Sequence, residues 1–401
     1  MTAPAVTPQL LLALLRGGGS YNDTASLTQS IKPRSLLPLL VEGAAASGTV
    51  SGLEPSDAAA VLLLAAQILQ KAVRRCPLDE CPDALTLLDV LQRVMTCTSQ
   101  ALLLPVATQL GLGAIVVIVR CPAWAPERLI EGIGAALLHA RTALVLALTL
   151  LSEELHAPAA KVSVPPVRVS AIRDALRGEG ANLLTSLQSW CCETRPGDGN
   201  ASSHVPAAAA LRCTSAWCTA GLVTPRACSE SALVLHMACS CLVDATASND
   251  DAIAERASEV LCAALAAAQA DREGNMSDSP DLLPGFAKAL HVALASCQLS
   301  RHLASVACVA CTVLAHRVLC ASPGHTTCTP ASEAATTAAL DSWLTLLKHA
   351  AIELPLSEAG AARSCWVELH DLLNDDSSAV DPASLVLLNA MLMPYRAALL
   401  D

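Results

Sequence analysis

The chain has 401 residues, of which 53% are hydrophobic but only 2% aromatic, and its formal net charge is −11. The acidic balance argues against binding to a phosphate backbone, and so few aromatic rings leave little for base stacking, so direct nucleic-acid binding is not expected. The charge fits a basic protein partner instead.

Blocks of small and medium apolar residues recur along the chain, separated by breaks that contain Pro, Gly and Ser. The blocks have the length of ordinary α-helices, and caps and breakers set their approximate bounds. In chain order the predicted helices are Pro8–Arg16, a weak pair between Asn22 and Glu42, Ala58–Arg75, one opened by Pro82 and Asp83, Ala101–Val119, Pro126–Leu138, Thr142–Leu155, about Arg168–Trp190, Ala207–Val223, Ser229–Ala245, Ala252–Ala270, Leu282–Ser296, Ser300–Cys320, Ala331–Ile352, Ala361–Leu373 and Pro382–Leu399. They amount to about sixteen helices or eight helical hairpins, the unit of HEAT-type repeats.

This pattern predicts an all-α fold, a right-handed α-solenoid of HEAT-like helical hairpins. Each repeat of such an array buries its apolar face against its neighbours, so the core grows along one axis. Residues 1–54 are predicted to form degenerate N-terminal repeats, and residues 55–192 and 205–401 to form HEAT-like repeats. Residues 193–204, rich in Gly, Asp, Asn and Ser, are predicted to be a loop between them.

The chain contains eighteen cysteines, and their positions favour small core residues over disulfides. Free cysteine inside an apolar helix behaves as a small hydrophobic residue. The cysteines in such runs are Cys213, Cys218, Cys239, Cys262, Cys308 and Cys311. Residues 1–16 have neither the basic region nor the cleavage site of a secretory signal, so an intracellular, reducing compartment is predicted.

One segment, Ala101–Val119, is uncharged and long enough to span a bilayer, and the mean hydropathy of the chain is +0.48. Pro105, Gly111 and Gly113 interrupt this segment, and the next apolar block carries Arg141 near its middle. A buried helix without membrane insertion is therefore predicted.

Four residues have spacing that comes nearest to a metal site: Cys308, Cys311, His316 and Cys320. On a helix the two residues of each pair share a face, but His316 lies about 140° around the helix from Cys311. Because structural zinc needs four converging ligands, core residues and no metal are predicted.

Signatures of catalysis are weak. Gly111 and Gly113 are the only hint of a dinucleotide turn, and Val116 stands where a third glycine is needed. Glu153 and Glu154 point about 100° apart on a helix, so they cannot share a proton and are predicted to form a solvated helix end. The sequence predicts a protein that is not an enzyme and has no cofactor.

Five local strings occur in order between residues about 55 and 350. They are Ala65-Ala66-Gln67-Ile68-Leu69; Thr108-Gln109-Leu110 leading to Cys121-Pro122-Ala123-Trp124; Leu150-Leu151-Ser152-Glu153-Glu154-Leu155; Arg212-Cys213 with Trp217, Gly221 and Val223; and Pro323-Gly324-His325 with Asp341 and Trp343. In order and approximate spacing they resemble successive stretches of the karyopherin-β (importin-β) family, most closely its transportin-SR and importin-thirteen branch. Ser152 stands where the family has a proline.

The resemblance implies a superhelix of HEAT repeats that carries protein cargo through the nuclear pore under the control of the GTPase Ran. The implied partners are Ran in its GTP form, nucleoporins and a basic or Arg-rich cargo, with shuttling between nucleus and cytoplasm. The family's N-terminal arm contacts Ran through inner helices, which implies residues 55–192 and, at the concave face, Gln67, Lys71 and Gln109. Ordinary polar positions on amphipathic helices are the alternative explanation for these three residues.

Two departures from the family stand out. Gly17–Gly19 and a polar stretch replace a robust first hairpin, and family members continue through a second arm, which implies a fragment or a short variant. The alternative function is a generic HEAT-repeat scaffold or adaptor without GTPase dependence, and a polytopic membrane protein is a third.

Overall fold

The computed structural model describes residues 6–16, 31–45, 49–96, 100–156, 164–192, 205–274, 283–319, 330–373 and 382–400. Within these ranges the chain is all-α, as predicted, with seventeen α-helices and no β-strand. The predicted loop at 193–204 lies outside the described residues.

The chain divides into two compact units, Met1–Glu179 with Ser189–Leu222, and Gly180–Gln188 with Val223–Asp401. The helices of the first unit are α1 (Pro8–Leu15), α2 (Leu37–Ala45), α3 (Pro55–Arg75), α4 (Ala84–Thr96), α5 (Gln100–Arg120), α6 (Leu129–Ala136), α7 (Arg141–His156) and α9 (Ala207–Thr219), and α8 (Pro166–Cys192) contributes residues to both units. The helices of the second are α10 (Pro225–Glu230), α11 (Cys239–Ser248), α12 (Asp251–Gly274), α13 (Leu283–Ala293), α14 (Arg301–Leu319), α15 (Pro330–Glu353), α16 (Gly360–Leu373) and α17 (Pro382–Leu400).

In the first unit most helices pack against the helix two positions along the chain. One row is formed by α3, α5, α7 and α9, and a second by α2, α4 and α6. The predicted apolar stripe of α4 supplies the contact between the rows, because Leu87, Leu88 and Leu91 are fully buried. Asp89 and Arg93 on the opposite face are exposed, as an amphipathic helix requires.

Helices α3, α5 and α7 run parallel to one another. A Cβ atom at Gly113 of α5 would lie 3.9 Å from the Cα atom of Gln70 in α3, and one at Gly111 would lie 2.6 Å from Leu150 in α7. At the end of α5, the Arg120 guanidinium donates to the Cys76 carbonyl at 2.9 Å, so the carboxyl ends of α3 and α5 meet. The two glycines that hinted at a dinucleotide turn are thus helical positions where neighbouring helices approach closely.

Alanine at these two glycines is expected to have opposite effects. Gly113→Ala should stabilise the protein by up to about 1 kcal/mol, because alanine favours a helix and its methyl would make ordinary contacts. Gly111→Ala should not stabilise the protein in this way. Buried Leu150 would have to move, and such overpacking costs about 1–3 kcal/mol of stability. Urea denaturation of the two variants measures the difference, and equal stabilities would contradict the close approach of α5 to α7.

The second unit repeats this arrangement. Helices α12, α14 and α16 form one row, and α13, α15 and α17 another. Asp251 at the start of α12 bonds His302 at the start of α14, and Cys308 farther along α14 contacts Ala361 near the start of α16. Side chains of α15 reach both of its row neighbours, because Trp343 bonds the Ala287 carbonyl of α13 and Asp341 accepts from Tyr395 of α17.

The predicted helix Ser229–Ala245 is divided in the structure. Helix α10 ends at Glu230, and a π-helical segment, Leu233–Ala238, leads into α11. A π-turn places residues five apart on one face, so Leu233 and Ala238 are both fully buried. The sequence pattern missed this because a single π-turn hardly changes the spacing of apolar residues.

Three helices in the described part of the chain are long and apolar enough to cross a membrane by length and composition alone: Pro55–Arg75, Leu103–Arg120 and Arg301–Leu319. Residues buried inside the protein make up 50%, 67% and 61% of their most apolar windows. Packing against the neighbouring helices accounts for the buried part of each window.

Candidate functional site

The three residues predicted to bind a partner lie on α3 and α5, which pack side by side. Gln67 and Lys71 are one turn apart on α3, with Gln67 half-buried and Lys71 exposed. Gln109 is half-buried on α5, one turn before Gly113, which faces Gln70. Because the two helices are parallel, Gln109 lies at about the level of Gln67. We refer to Gln67, Lys71 and Gln109 as the α3–α5 surface.

A buried ion pair extends from this surface to α7. The guanidinium of Arg74, three residues after Lys71, donates to both carboxylate oxygens of Glu154 at 2.8 and 2.5 Å. The side chains are only 20% and 5% exposed, respectively. The prediction that Glu153 and Glu154 form a solvated helix end is therefore wrong for Glu154, because the end of α7 lies within reach of α3.

The neighbouring carboxylate, Glu153, is exposed and pairs with Arg212 of α9 at 3.0 Å. Glu153 and Glu154 thus point to different partners, as their angular separation on the helix predicts. Arg74 and Arg212 each pair with a carboxylate. On the α3–α5 surface, the cation is Lys71, which has no ion pair among the described residues. The surface favours a partner that offers a carboxylate or carbonyl oxygens.

The string that begins at Arg212 has a structural role. Trp217 is fully buried, and its indole N–H donates to the Leu148 carbonyl of α7 at 3.0 Å. Cys213, one turn earlier, is fully buried, and this burial raises the pKa of its thiol to about 12. Gly221 takes the left-handed conformation (φ +67°) that ends α9 in a Schellman turn, in which the Leu222 amide donates to the Trp217 carbonyl.

The string that ends at Trp124 is held by an arginine that the sequence did not single out. Arg168 at the start of α8 donates to the carbonyls of Cys121 and Trp124 at 2.6 and 2.8 Å. It also donates to the Val119 carbonyl at 2.6 Å, which satisfies the end of α5. Arg173, one turn and a half later, donates to the Leu155 carbonyl of α7. These arginines connect successive helices through carbonyls that a helix leaves unpaired.

A second polar cluster lies in the second unit, beside a cavity of about 180 Å³. The Asp251 carboxylate bonds the His302 ring nitrogen Nε2 at 2.8 Å and also pairs with Arg301. The hydrogen bond from His302 holds the pKa of Asp251 below its ordinary value of 3.8. Ser300 also lines the cavity, but its hydroxyl accepts from the Leu303 amide as a helix cap. No hydrogen bond between Ser300 and His302 occurs among the described residues.

Two of the three cysteines that resembled a metal site, Cys308 and Cys311, lie on α14. Cys311 is fully buried and Cys308 half-buried, while Cys320 lies outside the described residues. Within the ranges that the structure describes, no group of three or more Cys, His, Asp or Glu side chains could hold a metal ion.

No protein-family model matches this chain. A comparison with curated proteins likewise gives no match. The resemblance to the karyopherin-β family therefore rests on the five strings alone.

Proposed function

We propose that this chain is a helical-repeat protein that binds other proteins and, more specifically, a nuclear transport receptor of the importin-β type. In this proposal each unit is a right-handed stack of HEAT-like hairpins. The observation that carries it is the rows of helices in each unit, in which each member packs on the helix two positions along. Stacked helical hairpins produce such rows, and extended binding surfaces are what these arrays provide.

The proposed site for Ran in its GTP form is the α3–α5 surface. Its support is that the polar side chains Gln67, Lys71 and Gln109 stand on adjacent parallel helices, whose carboxyl ends are joined by the contact of Arg120 with the Cys76 carbonyl. Lys71 supplies a cation without an ion pair in the described chain, and the two glutamines supply donors and acceptors. Basic cargo and nucleoporins would bind elsewhere on the acidic protein.

Capture of the full chain on immobilised Ran tests this proposal. We expect Ran locked in its GTP form to retain far more protein than Ran in its GDP form. The triple variant Gln67→Ala, Lys71→Ala, Gln109→Ala should lower the affinity about tenfold or more, since a few anchors carry most of an interface's energy.

Lys288→Ala is the matched control, because Lys288 is an exposed lysine on α13 of the second unit. It should leave capture unchanged. Equal and negligible capture of both nucleotide forms would remove the transport function, whereas GTP-dependent capture that the triple variant leaves intact would move the Ran site away from α3 and α5.

A scaffold in a stable protein complex is the second candidate function. One observation favours it: large apolar side chains are exposed on the last two described helices, with Val367 60%, Val386 70% and Met393 53% exposed. Apolar contacts of this kind are typical of permanent interfaces. Subunits that co-purify at fixed stoichiometry in high salt, with no response to Ran nucleotide, would support this function over transport.

A further inference from the structure

Two thiols on neighbouring helices of the second unit lie against each other. The Cys365 thiol on α16 donates to the Cys308 carbonyl on α14 at 3.6 Å, and the Cys308 thiol donates to the Ala361 carbonyl at 3.4 Å. Ala361 precedes Cys365 by one helical turn, so each sulfur reaches the backbone beside the other cysteine. The two sulfur atoms lie close enough for each thiol to shift the pKa of the other.

We propose that Cys308 and Cys365 form an oxidisable pair that closes to a disulfide between α14 and α16. The pair is asymmetric in exposure, since Cys308 is half-buried and Cys365 is only 3% exposed. A small hydroperoxide in solvent therefore reaches Cys308 first. Thr312 lies one turn after Cys308, and its hydroxyl is 3.8 Å from the Cys365 sulfur.

The reaction proceeds in two steps with hydrogen peroxide as the oxidant. The Cys308 sulfur attacks one peroxide oxygen, the O–O bond breaks, a sulfenic acid forms on Cys308, and water leaves with the thiol proton. The Cys365 sulfur then attacks the Cys308 sulfur, the S–O bond breaks, and a second water leaves with the proton of Cys365. Two thiols lose two electrons in total, and one peroxide is reduced to two water molecules.

The shifted pKa values of the two thiols slow the first step and favour the second. The hydrogen bond to Cys365, with burial, raises the pKa of Cys308, while the hydrogen bond from Cys308 lowers the pKa of Cys365. Because the thiolate is the nucleophile, the first step is slow at neutral pH and accelerates as pH rises. Cys365 has the greater thiolate fraction and is suited to the second step.

The bridge would join residues 57 positions apart and fix α14 relative to α16. Cross-links that close long loops stabilise a protein chiefly by constraining the unfolded chain. The oxidised protein should therefore melt at a higher temperature than the reduced protein, and a reducing agent should reverse the change.

Peptide mapping of the full chain tests the proposal. The reduced protein is treated with hydrogen peroxide, its remaining thiols are alkylated, and it is digested without reductant. We expect a peptide pair that joins Cys308 to Cys365, lighter by two hydrogen atoms than the sum of its parts and separated by dithiothreitol. A bridge from Cys308 to Cys311 in its place, or no bridge from Cys308 to Cys365 at all, would overturn the proposal.

Two variants sharpen the test. Cys365→Ser should abolish the bridge and leave Cys308 as a sulfenic acid, which dimedone traps. Cys262→Ser is the control, because it removes a neighbouring thiol and should leave the bridge intact. Dimedone labelling of Cys308 that is equal in the wild type and in Cys365→Ser would contradict the role of Cys365. The mapping of the wild-type chain decides the matter even where a variant fails to fold.

Discussion

Alanine at Trp217 is expected to lower the free energy of unfolding by about 3–5 kcal/mol, the usual cost of deleting a buried large aromatic side chain. Trp217 is fully buried between α9 and α7, and its indole N–H bonds the Leu148 carbonyl at 3.0 Å. Truncation leaves a cavity that rigid helices cannot collapse to fill. Urea denaturation followed by circular dichroism measures the loss.

Two control substitutions separate the contributions of the Trp217 hydrogen bond and of its buried volume. Trp217→Phe keeps much of the volume but removes the donor, so it should cost less than Trp217→Ala, with about 1 kcal/mol arising from the lost hydrogen bond. Trp124→Ala removes a tryptophan that is only half-buried and should cost less than Trp217→Ala. A loss below about 1 kcal/mol for Trp217→Ala would contradict the packing of α9 on α7.

Glu154→Ala is expected to cost about 3 kcal/mol, because it leaves the Arg74 guanidinium buried without its carboxylate. We expect the lower end of the range for broken buried pairs, since Arg74 keeps 20% of its side-chain exposure and can draw in water. Arg74→Ala should cost at least as much, because Glu154 is the more deeply buried partner.

A double-mutant cycle isolates the pair. Arg74→Ala combined with Glu154→Ala should cost clearly less than the sum of the two single changes, since no buried charge is then left unpaired. The matched control is Arg93 with Asp89 on α4, where both side chains are about half exposed and the pair should contribute about 0.3–0.5 kcal/mol. Additive effects at Arg74 and Glu154 would contradict the bidentate contact.

The elements of this fold follow closely from the sequence. Helix α4 shows why: Leu87, Leu88 and Leu91 recur at helical spacing, Pro82 and Asp83 precede the helix, and exposed Asp89 stands opposite. Helix formation and termination depend on neighbours within a few residues, so local patterns determine them. The π-turn before α11 is the exception, because it depends on how Leu233 and Ala238 fit a particular core.

The polar partners could not be predicted in the same way. Arg74 and Glu154 are 80 residues apart, and Arg168 lies 47 residues after the Cys121 carbonyl that it binds. Nothing in the local sequence of either arginine distinguishes it from a solvated helix position. The contact of Cys308 with Cys365 could not be predicted either, because these residues are far apart in the sequence. Local spacing suggested only the pair of Cys308 with Cys311 on the same helix.

The sequence by itself determined that the chain is helical, approximately where most of its helices lie, and which face of an amphipathic helix such as α4 is apolar, because these properties arise from spacing and capping within one helix. Only the tertiary structure decided that α3, α5 and α7 run parallel, that Glu154 is buried against Arg74, and that Cys308 meets Cys365. These contacts depend on how successive helices stack, and close approach between distant residues is set by the packing of whole helices against one another.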